Sequence, residues 1–337
     1  MEKTAWEQNV ILLLDNFGQE SRKLYDSFRG IGVDCPVVVI EDDGFLPEDV
    51  ISVYGAFLGD FKHMQGGLGR SRYFNEIKVP PYWEISGSNS SGKVNDLYRE
   101  RGRIFYAEPA HKRRVKVVDW YDEKGTVRSS DHYNRYGALY ARTIFNAKGQ
   151  KVNKSYFDVD GREVIVENFV TQDIILNEDG KVKIFRNKTE FTIHFLKRAG
   201  FSGKRVFFNS LSIPFFVSER LERTTEKGDI LFWQEPTYDE IPGNMQIILR
   251  GESTRTGRIL VQKRDSYERL MQLGADSSIV HRLGYVYPFV RENRHGRDVL
   301  ICTNSENVAH CRKIAEALPG LHFHIAAITE MSAKLLS

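Results

Sequence analysis

Apolar positions along this chain follow two different patterns. Near the start, Val10–Leu14 and Pro36–Ile40 are continuous apolar runs, and Gly18–Gly30 between them has apolar residues at helical spacing. Strand, helix, strand is the beginning of a parallel α/β unit. The same alternation returns after residue 188. It predicts, in order, helix Glu190–Ala199, strands Arg205–Phe208 and Asp229–Trp233, helix Asn244–Leu249, strand Arg258–Val261 and helix Ser266–Leu273.

The middle of the chain repeats one short phrase, a large apolar residue followed by Asp or Asn, two variable residues and Gly. The copies are Tyr121–Gly125, Tyr133–Gly137, Phe145–Gly149, Phe157–Gly161 and Leu176–Gly180. The first four glycines are 12 residues apart. Asp or Asn opening a turn that ends in Gly is hairpin chemistry, because Gly accepts a positive φ. We therefore predict an up-and-down β-meander from near Arg103 to near Phe185.

Beyond the second α/β stretch a new βαβ unit is predicted, with strand Asp298–Cys302, helix Glu306–Leu318 and strand Leu321–Ile325. The fold class is therefore α/β, with an antiparallel insertion. We divide the chain into a first Rossmann-like domain in two parts, a β-meander insertion, and the start of a second Rossmann-like domain. The first Rossmann-like domain comprises residues 1–65 and 189–283. The β-meander insertion comprises residues 66–188, and the second Rossmann-like domain begins at residue 284 and is followed to residue 337. About 50 residues are too few to close a second doubly wound sheet.

Neither face of the predicted meander strands is continuously apolar, as a sheet packed on a core would require. We expect a thin, largely exposed sheet with aromatic residues beside its turns. Such a surface suits docking of another chain, with Tyr121, Tyr133 and Tyr156 as candidates. The alternative is an ordinary solvated sheet in a monomer.

Composition narrows the class of protein. The chain has 337 residues, of which 41% are hydrophobic and 28% charged, and it contains no secretory or transmembrane pattern. Its net charge of +3 is too small for nucleic-acid binding. One basic run precedes the first turn, formed by Lys112, Arg113, Arg114 and Lys116. This run is either a solvated strand edge or a docking patch for an acidic partner or a lipid headgroup.

Two acidic or aromatic groups are candidates for ligand binding. Asp42-Asp43 follows a buried strand, where carboxylates either bind a ligand or cap the next helix. Trp233-Gln234-Glu235 ends a strand near the presumed cleft, so the indole either stacks on a sugar or belongs to the core.

Other chemistry is not supported by the sequence. Gly87–Val94 resembles a phosphate-binding loop but lacks the final hydroxyl, so a turn between two antiparallel strands is favoured. The histidines and the three cysteines have no metal-ligand spacing. No catalytic constellation, metal site or cofactor is predicted.

Several phrases resemble one family, the stabilising, GtfB-type subunit of the accessory Sec glycosyltransferase of Gram-positive bacteria. They are Val39–Pro47, Tyr73–Ile77, Arg103–Pro109, Val164–Val170, Asp229–Pro236 and Ile241–Met245. The resemblance runs from near Asn9 to the last residue. It implies a GT-B-like glycosyltransferase fold with a β-meander inserted in the first Rossmann-like domain. It also implies that family members continue for about a hundred further residues, which would leave the second domain of this chain truncated.

The resemblance implies a protein without transferase activity of its own, needing no cofactor. It would pair with a homologous catalytic subunit, two copies of each, and bind an unfinished serine-rich repeat adhesin. The partner would transfer N-acetylglucosamine from UDP-N-acetylglucosamine to Ser and Thr at the cytoplasmic face of the membrane, before export, with this chain in peripheral membrane contact. The alternatives are an active GT-B transferase that holds its acceptor on the meander, and an α/β solute-binding module.

Overall fold

A computed structural model of the chain describes residues 9–178, 180–222, 227–284, 296–303 and 307–327. The first strand, β1 (Val10–Asn16), is followed by helix α1 (Gln19–Gly30) and strands β2 (Val37–Glu41) and β3 (Val50–Ser52). β1 and β2 pair in parallel, and so do β2 and β3. The apolar run in β1 is continuous because both faces of this strand are covered. The predicted opening of a parallel α/β unit is confirmed.

An antiparallel sheet of ten strands comes next, in simple up-and-down order. Its strands are β4 (Trp83–Gly87), β5 (Ser91–Asp96), β6 (Arg99–Tyr106), β7 (Val115–Tyr121), β8 (Val127–Tyr133), β9 (Leu139–Phe145), β10 (Lys151–Phe157), β11 (Glu163–Asn168), β12 (Ile174–Glu178) and β13 (Lys181–Phe185). The predicted meander is therefore confirmed. It begins two strands earlier than expected, with β4 and β5, and Gly87–Val94 lies in the β4–β5 hairpin rather than in a phosphate-binding loop.

The repeated phrase forms hairpin turns, as predicted. All five glycines have positive φ, from 74° at Gly180 to 80° at Gly137. In the first turn the Asp122 carboxylate accepts hydrogen bonds from the backbone N–H groups of Lys124 and Thr126, both at 2.9 Å. The side chain of the opening Asp or Asn thus stabilises the turn by accepting backbone hydrogen bonds, and the glycine adopts the positive φ that the turn requires.

The meander is not the bare sheet that its polar pattern suggested. Residues of β9 to β12 share one core with the parallel sheet, and the earlier strands have a core of their own with Ile77. Tyr156 is 3% exposed and stacks on Tyr54, with ring centroids 4.6 Å apart. Tyr133 is 8% exposed and lies under the Arg72 guanidinium. Docking through Tyr133 and Tyr156 was therefore a wrong prediction, while Tyr121 is half-buried.

A close backbone contact joins the loop after β2 to the β8–β9 turn. Gly44 has φ of 84°, its carbonyl accepts the Arg135 N–H at 2.8 Å, and an added Cβ would lie 2.9 Å from the Tyr133 carbonyl oxygen. This contact fixes the first α/β unit against the meander.

We expect Gly44→Ala to destabilise the protein more than Gly125→Ala in thermal unfolding. Gly125 has a similar φ of 79° but nothing within 4 Å of an added Cβ, so it is a matched control. Both substitutions cost roughly 1 kcal/mol for the left-handed backbone, and only Gly44→Ala adds a steric overlap with backbone. Equal losses in the two variants would show that the contact does not constrain the loop.

After the meander the chain returns to the parallel sheet. The elements are α2 (Lys188–Arg198), β14 (Arg205–Phe208), α3 (Ile213–Arg220), β15 (Asp229–Trp233), α4 (Gly243–Leu249), β16 (Thr256–Val261), α5 (Arg264–Gln272) and β17 (Val280–Arg282). The strand order is β17-β16-β15-β14-β1-β2-β3, all parallel. This is a doubly wound order, which reverses direction beside β1.

The end of the chain forms a separate unit. It contains β18 (Asp298–Thr303), α6 (Val308–Ala317) and β19 (His322–Ala327), and the two strands pair in parallel. The predicted second βαβ unit is confirmed. Across the described ranges, no helix is long and apolar enough to cross a membrane.

Candidate functional site

The carboxyl ends of the parallel strands carry a polar network. The Asn209 side chain, after β14, accepts the Asp15 N–H at 3.2 Å and donates to Ser21 Oγ at 2.9 Å and Gln234 Oε1 at 3.2 Å. Gln234 in turn donates to the Glu20 carbonyl oxygen at 2.8 Å. The network ties the ends of β1, β14 and β15 to the start of α1, at the edge where α/β sheets bind ligands.

Trp233 belongs to the core rather than to this edge. It is 3% exposed, and its indole N–H donates to Thr237 Oγ1 at 3.2 Å. Because β15 is a central strand, both of its faces are covered; of the two alternatives, the structure supports the core indole and excludes an indole that stacks on a sugar. Gln234 is equally buried and holds the network together. Of the three predicted residues, only Glu235 is exposed to solvent.

Asp42 and Asp43 lie in different environments. The Asp42 carboxylate accepts the Gly44 N–H at 2.7 Å, and burial raises its pKa. Asp43 is exposed, accepts the Phe45 N–H at 3.0 Å and forms an ion pair with Lys116 at 2.5 Å. No helix follows in residues 45–49, so the alternative of a helix cap is wrong, and both carboxylates instead hold a turn.

The basic run is divided by the structure. Lys112 is exposed, and Arg113 donates to Asn89 Oδ1 at 3.0 Å. Arg114 instead lies over the Phe45 ring and donates to the Glu108 carbonyl oxygen, and Lys116 reaches Asp43. Lys116 lies in β7, which is not an edge strand because it pairs with both β6 and β8, and the other three residues of the run precede this strand. Of the four basic residues, only Arg114 and Lys116 therefore contact the loop after β2 that contains Asp42 and Asp43.

Asp43, Arg114 and Lys116 line one cleft, which we call the α1–β7 cleft. Its volume is about 940 Å³, and its walls come from the start of α1, the loop after β2, residues 69–71, β7 and the β8–β9 turn. The sequence predicted Asp43, Arg114 and Lys116 as separate candidates, and the fold brings them together. Trp233, Gln234 and Glu235 are not among its lining residues.

A second group of charges was missed by sequence reasoning. Lys188, the first residue of α2, contacts the Glu41 carboxylate and lies 2.8 Å from Glu167. Burial lowers the pKa of Lys188, but attraction to Glu41 and Glu167 outweighs it and the pKa is raised. Lys154 faces the same carboxylates, and there burial prevails and lowers the pKa. The one sequence signal was a lysine in the first turn of a helix, where the helix dipole disfavours positive charge.

The network and the cleft can bind polar groups, but they contain no recognisable catalytic set. Among the described residues there is no group of three His, Cys, Asp or Glu side chains arranged for a metal ion. His322 and His324 lie on one face of β19, each 3.5 Å from an Asp298 oxygen.

Four family models match the chain. They describe the GtfB N-terminal domain at residues 11–57, the GtfB middle domain at 83–186, the GtfB third domain at 188–273 and the GftB/GlyA-F C-terminal domain at 299–337. The middle-domain match covers the ten-stranded meander, and the third-domain match covers α2 to α5 of the return to the parallel sheet.

Two similar proteins are named as stabilizing proteins. The UDP-N-acetylglucosamine–peptide N-acetylglucosaminyltransferase stabilizing protein GtfB of Streptococcus gordonii is 44% identical, with 97% of this chain and 72% of that protein covered. The protein of the same name from Streptococcus agalactiae is 42% identical, with 97% and 73% covered.

A solved structure shares the fold. One chain in the crystal structure of a GtfA/B complex bound to UDP and GlcNAc is 43% identical and has a TM-score of 0.83, with 97% of this chain and 73% of that chain covered.

Proposed function

The chain belongs to the GtfB family of peptide N-acetylglucosaminyltransferase stabilizing proteins, and we propose that it is the non-catalytic, stabilising and acceptor-binding subunit of a protein O-GlcNAc transferase. The observation that carries this proposal is the identity of 44% to a named stabilizing protein along 97% of the chain. The matching fold in a GtfA/B complex supports a GtfA-like glycosyltransferase as the partner.

The finer parts of the proposal come from the resemblance in sequence. The acceptor is a serine-rich repeat adhesin, glycosylated on Ser and Thr before export by the accessory Sec system. The complex is a heterotetramer at the cytoplasmic face of the membrane, with this subunit in peripheral contact. The fold of this chain is GT-B-like. Residues 1–65 and 189–283 form the first Rossmann-like domain, residues 66–188 the β-meander insertion, and residues 284–337 the start of the second Rossmann-like domain.

The geometry of the α/β edge agrees with a binding rather than a transferring subunit. The side-chain amides of Gln234 and Asn209 form hydrogen bonds with each other and with backbone groups. These amides therefore stabilise the carboxyl edge of the sheet rather than face a substrate. Open polar surface lies instead in the α1–β7 cleft. We propose that an acceptor polypeptide is held in that cleft.

Co-expression with a GtfA-like catalytic homologue tests the proposal. We expect the two chains to co-elute as one hetero-oligomer and the melting temperature of the catalytic subunit to rise, because a partner that binds only the folded state stabilises it. Separate elution with an unchanged melting temperature would contradict the proposal. Release of UDP by the isolated chain would favour the alternative of an active transferase.

A further inference from the structure

Three arginines of the α1–β7 cleft each lie against an aromatic ring. The pairs are Arg22 with Phe17 at 5.6 Å, Arg114 with Phe45 at 5.8 Å and Arg135 with Tyr136 at 5.7 Å, measured from Cζ to the ring centroid. All six residues line the cleft. A guanidinium held on a ring loses less rotamer freedom when it binds an anion than a mobile one does.

Arg22, Arg114 and Arg135 have no carboxylate partner among the described residues. Arg114 donates to the Glu108 carbonyl oxygen, and Arg135 Nη1 donates to the Leu46 carbonyl oxygen at 2.8 Å. A carbonyl oxygen orients a guanidinium without neutralising it. Each arginine therefore keeps its full charge and most of its five donors for a further acceptor.

The lysines of the cleft differ in this respect. Lys116 pairs with Asp43 at 2.5 Å, and Lys62 pairs with Glu48 at 3.3 Å. These two pairs neutralise themselves. A fourth arginine of the cleft, Arg70, pairs with Glu76 at 2.6 Å, so the uncompensated positive charge is concentrated on Arg22, Arg114 and Arg135.

Two carboxylates, Asp26 and Glu108, also line the cleft without an ion-pair partner among the described residues. This mixture disfavours a polyanion such as nucleic acid, which needs a continuous basic surface. A bilayer is flat and meets protruding apolar side chains rather than a concave wall. A volume of about 940 Å³ is at the upper end of ligand clefts and admits a short stretch of extended chain.

We propose that the α1–β7 cleft binds a carboxylate-bearing segment of a polypeptide, with Arg114 and Arg135 as its principal ligands. Arginine is suited to this because its planar fork binds both oxygens of a carboxylate. The inference rests on the proposed function, since the segment belongs to the acceptor polypeptide. It adds that recognition depends on Asp or Glu in the acceptor as well as on its hydroxyl groups.

Fluorescence anisotropy with the 337-residue chain tests this inference. Two labelled serine-rich peptides are compared, one with interspersed Asp and one with Asn at the same positions. We expect the Asp peptide to bind about 10-fold more tightly at low ionic strength, because charge-assisted hydrogen bonds exceed neutral ones. The difference should shrink as salt is added.

Single variants locate the site. Arg114→Gln and Arg135→Gln should each weaken the Asp peptide about 3- to 10-fold and leave the Asn peptide unchanged. Arg22→Gln should weaken it less, and it carries little folding risk because Arg22 is exposed. Arg99→Gln is the matched control, since Arg99 is an exposed arginine over the Tyr98 ring and lies outside the cleft.

Three outcomes would overturn the inference: equal binding of the two peptides, unchanged affinity in all three cleft variants, or displacement of the Asp peptide by phosphatidylserine vesicles. Displacement by the vesicles would indicate that the cleft binds a lipid headgroup rather than a peptide carboxylate. Each is separable from the proposed function, because co-elution with the catalytic homologue is measured independently. If co-elution persists while the peptides bind equally, the subunit role stands and only this assignment falls.

Discussion

Replacing Arg255 with methionine is expected to lower the free energy of unfolding by about 3–5 kcal/mol. Arg255 and Asp229 are both fully buried, and Nε of the arginine lies 2.8 Å from Asp229 Oδ2. The Asp229 carboxylate also accepts from Val206 N at 2.9 Å and from Ser218 Oγ at 2.7 Å. Arg255 donates in addition to the Lys204 carbonyl oxygen at 2.7 Å. The pair therefore joins β14, α3, β15 and the segment before β16.

The loss is large because removing the arginine leaves a buried carboxylate without its counter-ion. Urea unfolding measures it. Arg264→Met is the matched control, since Arg264 is 70% exposed and its pair with Glu268 should contribute less than about 0.5 kcal/mol. The double variant Asp229→Leu/Arg255→Met should be less destabilised than Arg255→Met alone. A loss below about 1 kcal/mol in Arg255→Met would refute this account of the core.

Acidification from pH 7 to pH 5 is expected to cost about 2 kcal/mol of stability through His132 alone. Burial, and then repulsion by Lys154, Lys151 and Lys116, lowers the pKa of His132 from 6.5 to about 3. Its Nε2 lies 2.9 Å from Oγ1 of the buried Thr143, and the imidazole itself is half-buried. The folded protein therefore keeps this imidazole neutral.

The direction follows from proton binding. Below about pH 6.5 the unfolded chain binds a proton at this histidine and the folded chain does not, so stability is complete above that pH and falls as the pH drops toward 3. Urea unfolding of the wild type and His132→Gln at both pH values measures the difference. The variant should lose this part of the pH dependence, whereas His281→Gln, at an exposed histidine, should retain it. Parallel pH profiles for the wild type and His132→Gln would contradict the prediction.

The hairpin turns and the up-and-down order of the meander strands could be predicted from sequence because their causes are local. A glycine with positive φ and an Asp or Asn that accepts backbone N–H groups mark each hairpin whatever surrounds it. The continuous apolar run of β1 likewise requires a strand covered on both faces. These signals predicted both the meander and the parallel units around it.

The burial of individual meander side chains could not be predicted from sequence, because it depends on segments that are distant along the chain. Asp131 reads as a surface residue, yet it is 4% exposed and is held by Arg142 at 2.5 Å and by the Trp120 indole at 2.9 Å. Buried polar residues that are fully hydrogen-bonded break the alternation from which exposure is inferred. Tyr156 was misjudged for the same reason, since the ring that covers it belongs to Tyr54, far away in the chain.

The candidate site shows the same division. Asp43, Arg114 and Lys116 were identifiable as unusual charges, but their meeting in one cleft depends on how the loop after β2 packs on the meander. Arg22 and Arg135 could not be identified as candidates from sequence. What distinguishes them is that each guanidinium lies over an aromatic ring and has no carboxylate partner among the described residues, and both depend on the fold.

Transfer of N-acetylglucosamine from UDP-N-acetylglucosamine to a serine-rich polypeptide is the measurement that tests the central claim most directly. It is made with a GtfA-like catalytic homologue alone, with this chain alone and with both together. A non-catalytic stabilising subunit predicts no transfer by this chain alone, little by the homologue alone, and rapid transfer by the two together. Full transfer by the homologue alone, or any transfer by this chain alone, would contradict it.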